Sequence, residues 1–461
     1  MKLFRAPLTA LAAAALIAAC GGDGGVAVTT PTTPVVTGTV VTAAQMTDAQ
    51  INAILFKAKP GDTIRLPAGK YTLNGPLMLN IDNVTIEGAG NGNDPTKDTI
   101  LSFKGAATRD GVQVADVKGV TLRKFAVEDA AGNGIFVNKS TNVVMDTLRT
   151  EWTTDPVNTS EMAYGLYPVS SDNVLVVNSK AIGTRDAGVY VGQSTNITVR
   201  NNQAYYNVAG VEIENSHNAI VESNDVHNNT GGILVFALPG TYRFGDNNGT
   251  IVRNNNVHDN NQPVAATATG FVRAVPPGTG IMVLAAQNTE VTGNTIQNHA
   301  TSGVLLVSFQ STGISYPSTY DPYLRGAYVH GNTISGFGTT PGGAFADPAG
   351  LKPVVDGVFA YLGGNGLPAQ LPGVIWDGIV DVATGTTGPA GNGGSYAGNL
   401  QICSKGNTID PALPNIPGVI SYENMDLDLL GLMSGLSSAP VFPFPPRLDC
   451  TITLPAVTGL P

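Results

Sequence analysis

Glu212 and Glu214 stand two residues apart in Gly210-Val211-Glu212-Ile213-Glu214, where the intervening positions are apolar. Alternation of this kind belongs to a strand, so both carboxylates project from one face and Val211 and Ile213 from the other. Asp186, preceded by Arg185, opens an equivalent segment around Gly188, in which Tyr190 takes the place of Glu212. Tyr167 holds the same place one segment earlier, and Phe236 takes the place of Glu214 one segment later. Carboxylate pairs with room for a sugar and a water do glycoside chemistry. Acid/base groups also abstract protons in lyase or epimerase reactions. Glu212, Glu214 and Asp186 are therefore candidate acid/base groups, or ligands of a cation such as calcium, and Arg185 is a candidate to hold a substrate carboxylate. Tyr167, Tyr190 and Phe236 are candidates to stack on sugar rings, and Gly192 leaves a gap in the wall for a ligand to approach.

These residues have to be held by the elements around them. Between Gly134 and Gly303 the chain repeats about every 22 residues. The eighth residue after Gly134, Gly165, Gly188, Gly210 and Gly280 is asparagine each time: Asn142, Asn173, Asn196, Asn218 and Asn288. Asn202, Asn224 and Asn294 form a second row fourteen after their glycines. Positions one and three after the glycine are apolar, as in Val189 and Val191 or Val211 and Ile213, and positions nine and eleven repeat the pattern. Short strands separated by polar corners at this period describe the coils of a parallel β-helix. A sandwich of hairpins would not keep asparagine in register over five segments. At a corner, an asparagine can bond its counterpart one coil away, roughly 4.8 Å distant, and tolerates left-handed backbone angles. The asparagine rows are read as architecture without chemistry.

In that arrangement the outward row containing the two glutamates reads Phe136, Tyr167, Tyr190, Glu212, Leu234, Met282, Leu305, and the next reads Asn138, Val169, Gly192, Glu214, Phe236, Leu284, Val307. A solvent-facing strand surface should be polar. This one is aromatic and apolar, so something covers it or binds to it. Insertions around Glu151–Glu161, Pro239–Asn247, Gln262–Gly278 and Ser311–Tyr323 all flank this face, as loops do on the binding side of a solenoid. Two expectations follow: a loop-walled groove, or a C-terminal segment packed over the apolar row. His227 and His258 occupy equivalent places in adjacent coils and are read as stacked surface residues in preference to a shared metal site. No Cys/His spacing fits zinc.

The composition agrees with one long β domain: charged residues are only 13% against 42% hydrophobic, with 56 Gly and 30 Pro, which suits neither a helical nor a disordered chain. The net charge of -10, with no basic stripe, excludes nucleic acid as a partner. At the N-terminus Lys2 and Arg5 precede an apolar run from Leu8 to Ala19, too short to span a membrane, and then Cys20. Ile17-Ala18-Ala19-Cys20 resembles the bacterial lipobox, which implies a signal peptide over 1–19, cleavage before Cys20 and lipidation of its thiol. Glycine after that cysteine implies, by analogy, sorting to the outer membrane of a Gram-negative cell, facing the periplasm or the cell surface. Residues 20–42 read as a tether. In an exported protein the remaining Cys403 and Cys450 are expected to form a disulfide. Thr47-Asp48-Ala49-Gln50 has the form of a capping box before a short helix. The β-helix is expected over 43–335, and late coils with an irregular C-terminal cap over 336–461, with 384–396 unstructured.

Gly61-Asp62-Thr63-Ile64-Arg65-Leu66-Pro67-Ala68-Gly69-Lys70-Tyr71 after that helix, and then Asn83-Val84-Thr85-Ile86-Glu87-Gly88-Ala89-Gly90, resemble the opening of the pectin-lyase-like right-handed β-helix proteins, in which the helix plugs the end of the core. The resemblance implies an all-β, single-stranded, right-handed parallel β-helix, the handedness that parallel crossovers also prefer. Asp186–Ser194, Gly210–Ser216, Thr230–Gly240 and Pro276–Ile281 are similar to a family of bacterial parallel β-helix repeat lipoproteins of unassigned activity, which supplies no catalytic residues. The Asn-Thr-Asp, Asp-Asp and Gly-His-Gly signatures of polygalacturonases are missing, as is the Asp-Pro-His-Asp of alginate epimerases. Pectate lyases use an arginine with calcium-binding acids, and Arg185 and Asp186 are no more than candidates for those parts. The resulting expectation is an envelope-anchored protein that binds or modifies a polysaccharide with a lyase-, epimerase- or hydrolase-like groove. The alternative is a non-catalytic scaffold that docks another exported protein on the same face.

Overall fold

A computed structural model describes residues 38–364, 366–381, 396–410, 423–427, 429 and 447–459. The proposed signal peptide, Cys20 and most of the tether lie outside the described residues, as does 384–395 of the segment read as unstructured. Tyr396, at its end, is buried.

The chain winds as a parallel β-helix. Among the described residues, three parallel sheets of twelve, eleven and eleven strands run its length, each coil contributing one strand to each sheet. The coil at the site shows the plan: strands Ala187–Gly192, Thr195–Arg200 and Gln203–Tyr205 pair with Ala209–Glu214, His217–Glu222 and Asp225–His227 of the next coil. Val189, Val191, Ile197, Val199 and Ala204 face inward and are fully buried. Stacking β-branched residues over one another at these levels fills the interior with side chains of little rotamer freedom, and each buried Val or Ile contributes roughly 1.5–3 kcal/mol.

The corners explain the asparagines. Asn142, Asn173, Asn196, Asn218 and Asn288 all have positive φ, between 53° and 58°. Asn173 donates to Asn142 at 2.8 Å, Asn196 to Asn173 at 2.9 Å and Asn218 to Asn196 at 2.6 Å. At the next coil the position is Gly249, and the C-terminal tail takes over: Thr458 donates its backbone N–H to Asn218 Oδ1 at 2.8 Å. The second row is a buried ladder through Asn202, Asn224, Asn255, Asn294, Asn332 and Asn407, each amide 2.9–3.0 Å from the next. A third ladder, Asn207, Asn229 and Asn260, runs at the remaining corner.

The helix Asp48–Leu55 seals the first coil with Ile51 and Leu55, and Thr47 accepts from Gln50 N at its start. Strand Gly38–Val40 already pairs with Thr63–Arg65, so the coils begin inside the segment read as tether. Beyond 336, strands Val374–Trp376, Ile402–Ser404, Thr408–Asp410 and Asn424–Asp426 extend the three sheets. Cys403 and Cys450 are joined by a disulfide with Cα atoms 5.1 Å apart. One element departs from the sequence expectation of an irregular cap: Lys352–Gly364 is a helix, with Val355, Val358 and Leu362 buried on one side.

Candidate functional site

The outward row of the sheet carrying Glu212 is not a free surface. Leu234, Phe236, Met282, Leu284, Leu305 and Ile375 are packed under Leu238, Val272, Val275, Phe309 and the helix residues Val355, Val358 and Leu362. This second core forms because the apolar row and the insertions are both too hydrophobic to face water, and each covers the other. Covering stops where the row turns acidic. There a cavity of about 510 Å³ remains, floored by Tyr167, Tyr190, Glu212 and Glu214. Its walls are Leu238, Pro239 and Tyr242 from one insertion, Gly270, Phe271 and Val272 from another, and Phe309 and Ile314 from a third.

Three tyrosines pack around its floor. The Tyr164 ring lies 4.4 Å from that of Tyr167 and 4.9 Å from that of Tyr190, and Tyr190 meets Tyr167 edge-on at 5.0 Å. Gln193 Nε2 stands 3.3 Å from the Tyr190 hydroxyl and 3.4 Å from Glu214 Oε1, and so connects ring and acid.

Glu212, Glu214 and Asp186 are buried, at 1%, 7% and 5% exposure. Burial dominates their electrostatics, because removing a carboxylate from water penalises its charged form. Asp186 is pushed up to about 8, burial being assisted by the Glu214 charge and opposed by a hydrogen bond from Tyr164. Glu214 is pushed up to about 7, against hydrogen bonds from Tyr190 and Glu212 that favour its carboxylate. Glu212 is also raised, by burial and by the charges of Glu214 and Asp186, and its Oε2 has no hydrogen-bond partner. Glu212 is thus the neutral member of a pair that shares a proton with Glu214. The register sets Ala187 against Ala209, so Asp186 is level with Val208, four residues from Glu212, or about 13 Å of strand. The side chains close part of that span from opposite ends of the floor.

Residues 73–248 and 236–346, more than half of the chain, match the family model described as the right handed beta helix region. The chain belongs to the right-handed β-helix family. Among solved structures, this β-helix is similar to the A-module of an Azotobacter vinelandii mannuronan C-5 epimerase (18% identity, 78% of this chain and 91% of that one, TM-score 0.45). It is also similar to an alginate lyase from Paenibacillus sp. str. FPU-7 (17% identity, 65% of this chain and 93% of that one, TM-score 0.42). At these levels the likeness is one of winding and carries nothing about chemistry. No curated protein sequence matches the chain.

Within this β-helix, five of the seven residues singled out from sequence for catalysis or sugar stacking line the cavity: Asp186, Glu212, Glu214, Tyr167 and Tyr190. Two do not. Phe236 is completely buried and meets Phe271 edge-on at 5.6 Å, so its ring offers no face to a sugar. Arg185 turns to the loops, donating to Glu161 O at 2.9 Å, Thr267 O at 3.2 Å and Thr269 Oγ1 at 3.0 Å; it ties two insertions together and is not placed to hold a substrate carboxylate. Nor does Gly192 leave a gap: a β-carbon there would collide with the folded-over Tyr190 ring. Among the described residues no group of three or more acidic, histidine or cysteine side chains is disposed to hold a metal ion. His227 and His258 stack at 4.9 Å, continuing a column from Tyr205 at 5.0 Å, well away from the cavity lining.

Sequence reasoning missed Tyr164, Gln193, Tyr242, Phe271 and Phe309, which also line the cavity. Tyr164 precedes its repeat glycine, outside the two rows inspected, and the others sit in turns or insertions where the period gives no guidance.

Proposed function

We propose that this β-helix binds a polysaccharide chain across the cavity and performs acid–base chemistry on a sugar held there. The observation that carries the reading is the set of three buried carboxyls on the floor of an aromatic-lined cavity, all with proton affinities raised by burial. Pairs of titratable groups whose surroundings push them apart divide into acid and base. Glu214 accepts from Glu212 and Tyr190, so it is the carboxylate of the pair and the base, or the attacking group. Asp186, still protonated at neutral pH, is the acid that delivers a proton to the departing oxygen. Tyr164 orients Asp186 and Gln193 orients Glu214, while the tyrosine rings set the plane of the sugar. A glycosidic bond lying between the two ends of the floor meets, at one end, an acid for its departing oxygen and, at the other, a base for the water that replaces it, so hydrolysis is the reaction these groups balance.

The scaffold reading finds less support, because the apolar row that would have docked a partner is already occupied by the chain's own insertions and helix. Anchoring through Cys20 in a bacterial outer membrane remains part of the proposal and rests on the sequence alone. The test is turnover of a polysaccharide panel, read both as new reducing ends and as unsaturated sugar. Asp186→Asn and Glu214→Gln should each abolish turnover in a folded protein, and unchanged turnover in both would remove the assignment. Cys20→Ser should release the protein from the membrane fraction.

A further inference from the structure

The charge lining the cavity narrows the substrate. The described lining residues comprise three acids, four tyrosines, two phenylalanines, one glutamine and small or aliphatic residues, with no lysine, arginine or histidine. The arginines nearest in sequence spend their hydrogen bonds elsewhere, although the Arg185 charge is felt by Asp186. Arg185 bonds the loop carbonyls of Glu161 and Thr267, Arg243 pairs with Asp172 at 2.9 Å, and Arg273 is exposed. A uronic acid bound here would bring its own carboxylate against that of Glu214, with no lysine, arginine or histidine in the lining to receive it. At about 5 Å and an intermediate dielectric, two like charges repel enough to weaken binding roughly a hundredfold. The unpartnered Oε2 of buried Glu212 can instead take part in a hydrogen bond with a sugar hydroxyl, relieving an orphaned polar atom.

We propose that the ligand of this site is an uncharged glycan, built of neutral sugars, and that polyuronates are excluded by the Glu214 carboxylate of the floor, which no lining cation faces. This rests on the glycan-binding reading above and sharpens it. The cavity rejects charge of one sign at the sugar it encloses, whereas sugars further along the chain lie outside the floor and are not selected in this way.

The experiment measures binding by calorimetry, using the full-length protein carrying Asp186→Asn, which leaves the Glu212–Glu214 pair intact. Probes are hexasaccharides of glucan, xylan and mannan as the neutral set, of galacturonate and mannuronate as the anionic set, and of glucosamine as the cationic set. A neutral hexasaccharide binding at least tenfold more tightly than either uronate at pH 8 supports the proposal. Uronate binding equal to or tighter than neutral binding overturns it and leaves the glycan-binding reading in place, and so does preference for the glucosamine chain. Failure of every probe to bind overturns both. Repeating the titration at pH 5 separates charge from shape. The uronate penalty should shrink severalfold as Glu214 takes up its proton, and a penalty unchanged between pH 5 and pH 8 refutes electrostatic exclusion. In a second variant, Gln193→Lys places a cation beside Glu214 and should bring uronate binding to within about threefold of neutral binding. No gain there, in a protein that still binds the neutral probe, counts against the mechanism.

Discussion

Replacing Glu214 by glutamine should make the protein less sensitive to alkali, and by an amount that follows from its burial. The carboxyl rises from an ordinary value of 4.5 to about 7. Between those two values the folded state holds the proton that the unfolded chain has released, so stability falls as pH rises through this window. Below pH 4.5 both states are protonated and nothing is lost. By pH 8 the folded state has had to ionise a buried acid, at a cost on the order of 3 kcal/mol, from about 1.4 kcal/mol per pH unit. Glutamine keeps the shape and an acceptor for Tyr190 but cannot ionise. Glu214→Gln should therefore lie within about 1 kcal/mol of the parent at pH 5 and exceed it by about 3 kcal/mol at pH 8. The assay is denaturant unfolding at half-unit steps from pH 4.5 to 8.5, followed by far-UV circular dichroism. If parent and variant run parallel over the whole range, Glu214 is not the buried, proton-holding group described above, and its assignment as the base fails with it.

Asn224→Ala removes donors to Val199 O and Asn255 Oδ1 and the acceptor of Asn202 N, all buried, and should cost roughly 4 kcal/mol in unfolding free energy. Asn218→Ala, at a solvent-lapped corner, should cost less than half as much in the same assay. Reducing the Cys403–Cys450 bond, which closes a separation of 47 residues, should lower stability by roughly 4 kcal/mol on the chain-entropy view and expose the last coils to protease first. Leu362→Ala should cost about 3 kcal/mol and loosen helix Lys352–Gly364, read as faster amide exchange along that helix.

The winding could be read from the residues because each coil repeats the same physical problem. Val and Ile must face in, the corner must bend left-handed, and asparagine solves the corner at each level. The helix at Lys352–Gly364 was obscured by its company. Val355, Val358 and Leu362 stand at helical spacing, but Gly357, Gly363 and Gly364 in the same stretch look like breakers. The site divides along the same line. Tyr167, Tyr190, Glu212 and Glu214 could be placed on one face from period alone. Which of the outward residues would be roofed could not, because the roof comes from Val272, Phe309 and Val358, distant in the chain and aperiodic. Phe236 and Arg185 were misjudged for this reason: the first lies one coil beyond Glu214 and is already under the roof, and the second is spent in holding loops together.

The cavity's floor and roof are separated in the order of synthesis. The floor is laid down between Tyr164 and Glu214, whereas its last wall residue, Ile314, emerges 100 positions after Glu214. A nascent chain therefore exposes a patch of bare acids and rings through three further windings before it becomes a pocket. During that interval the acids are hydrated and ionise at ordinary pH, and the reactive character of the site appears only on completion of the later coils.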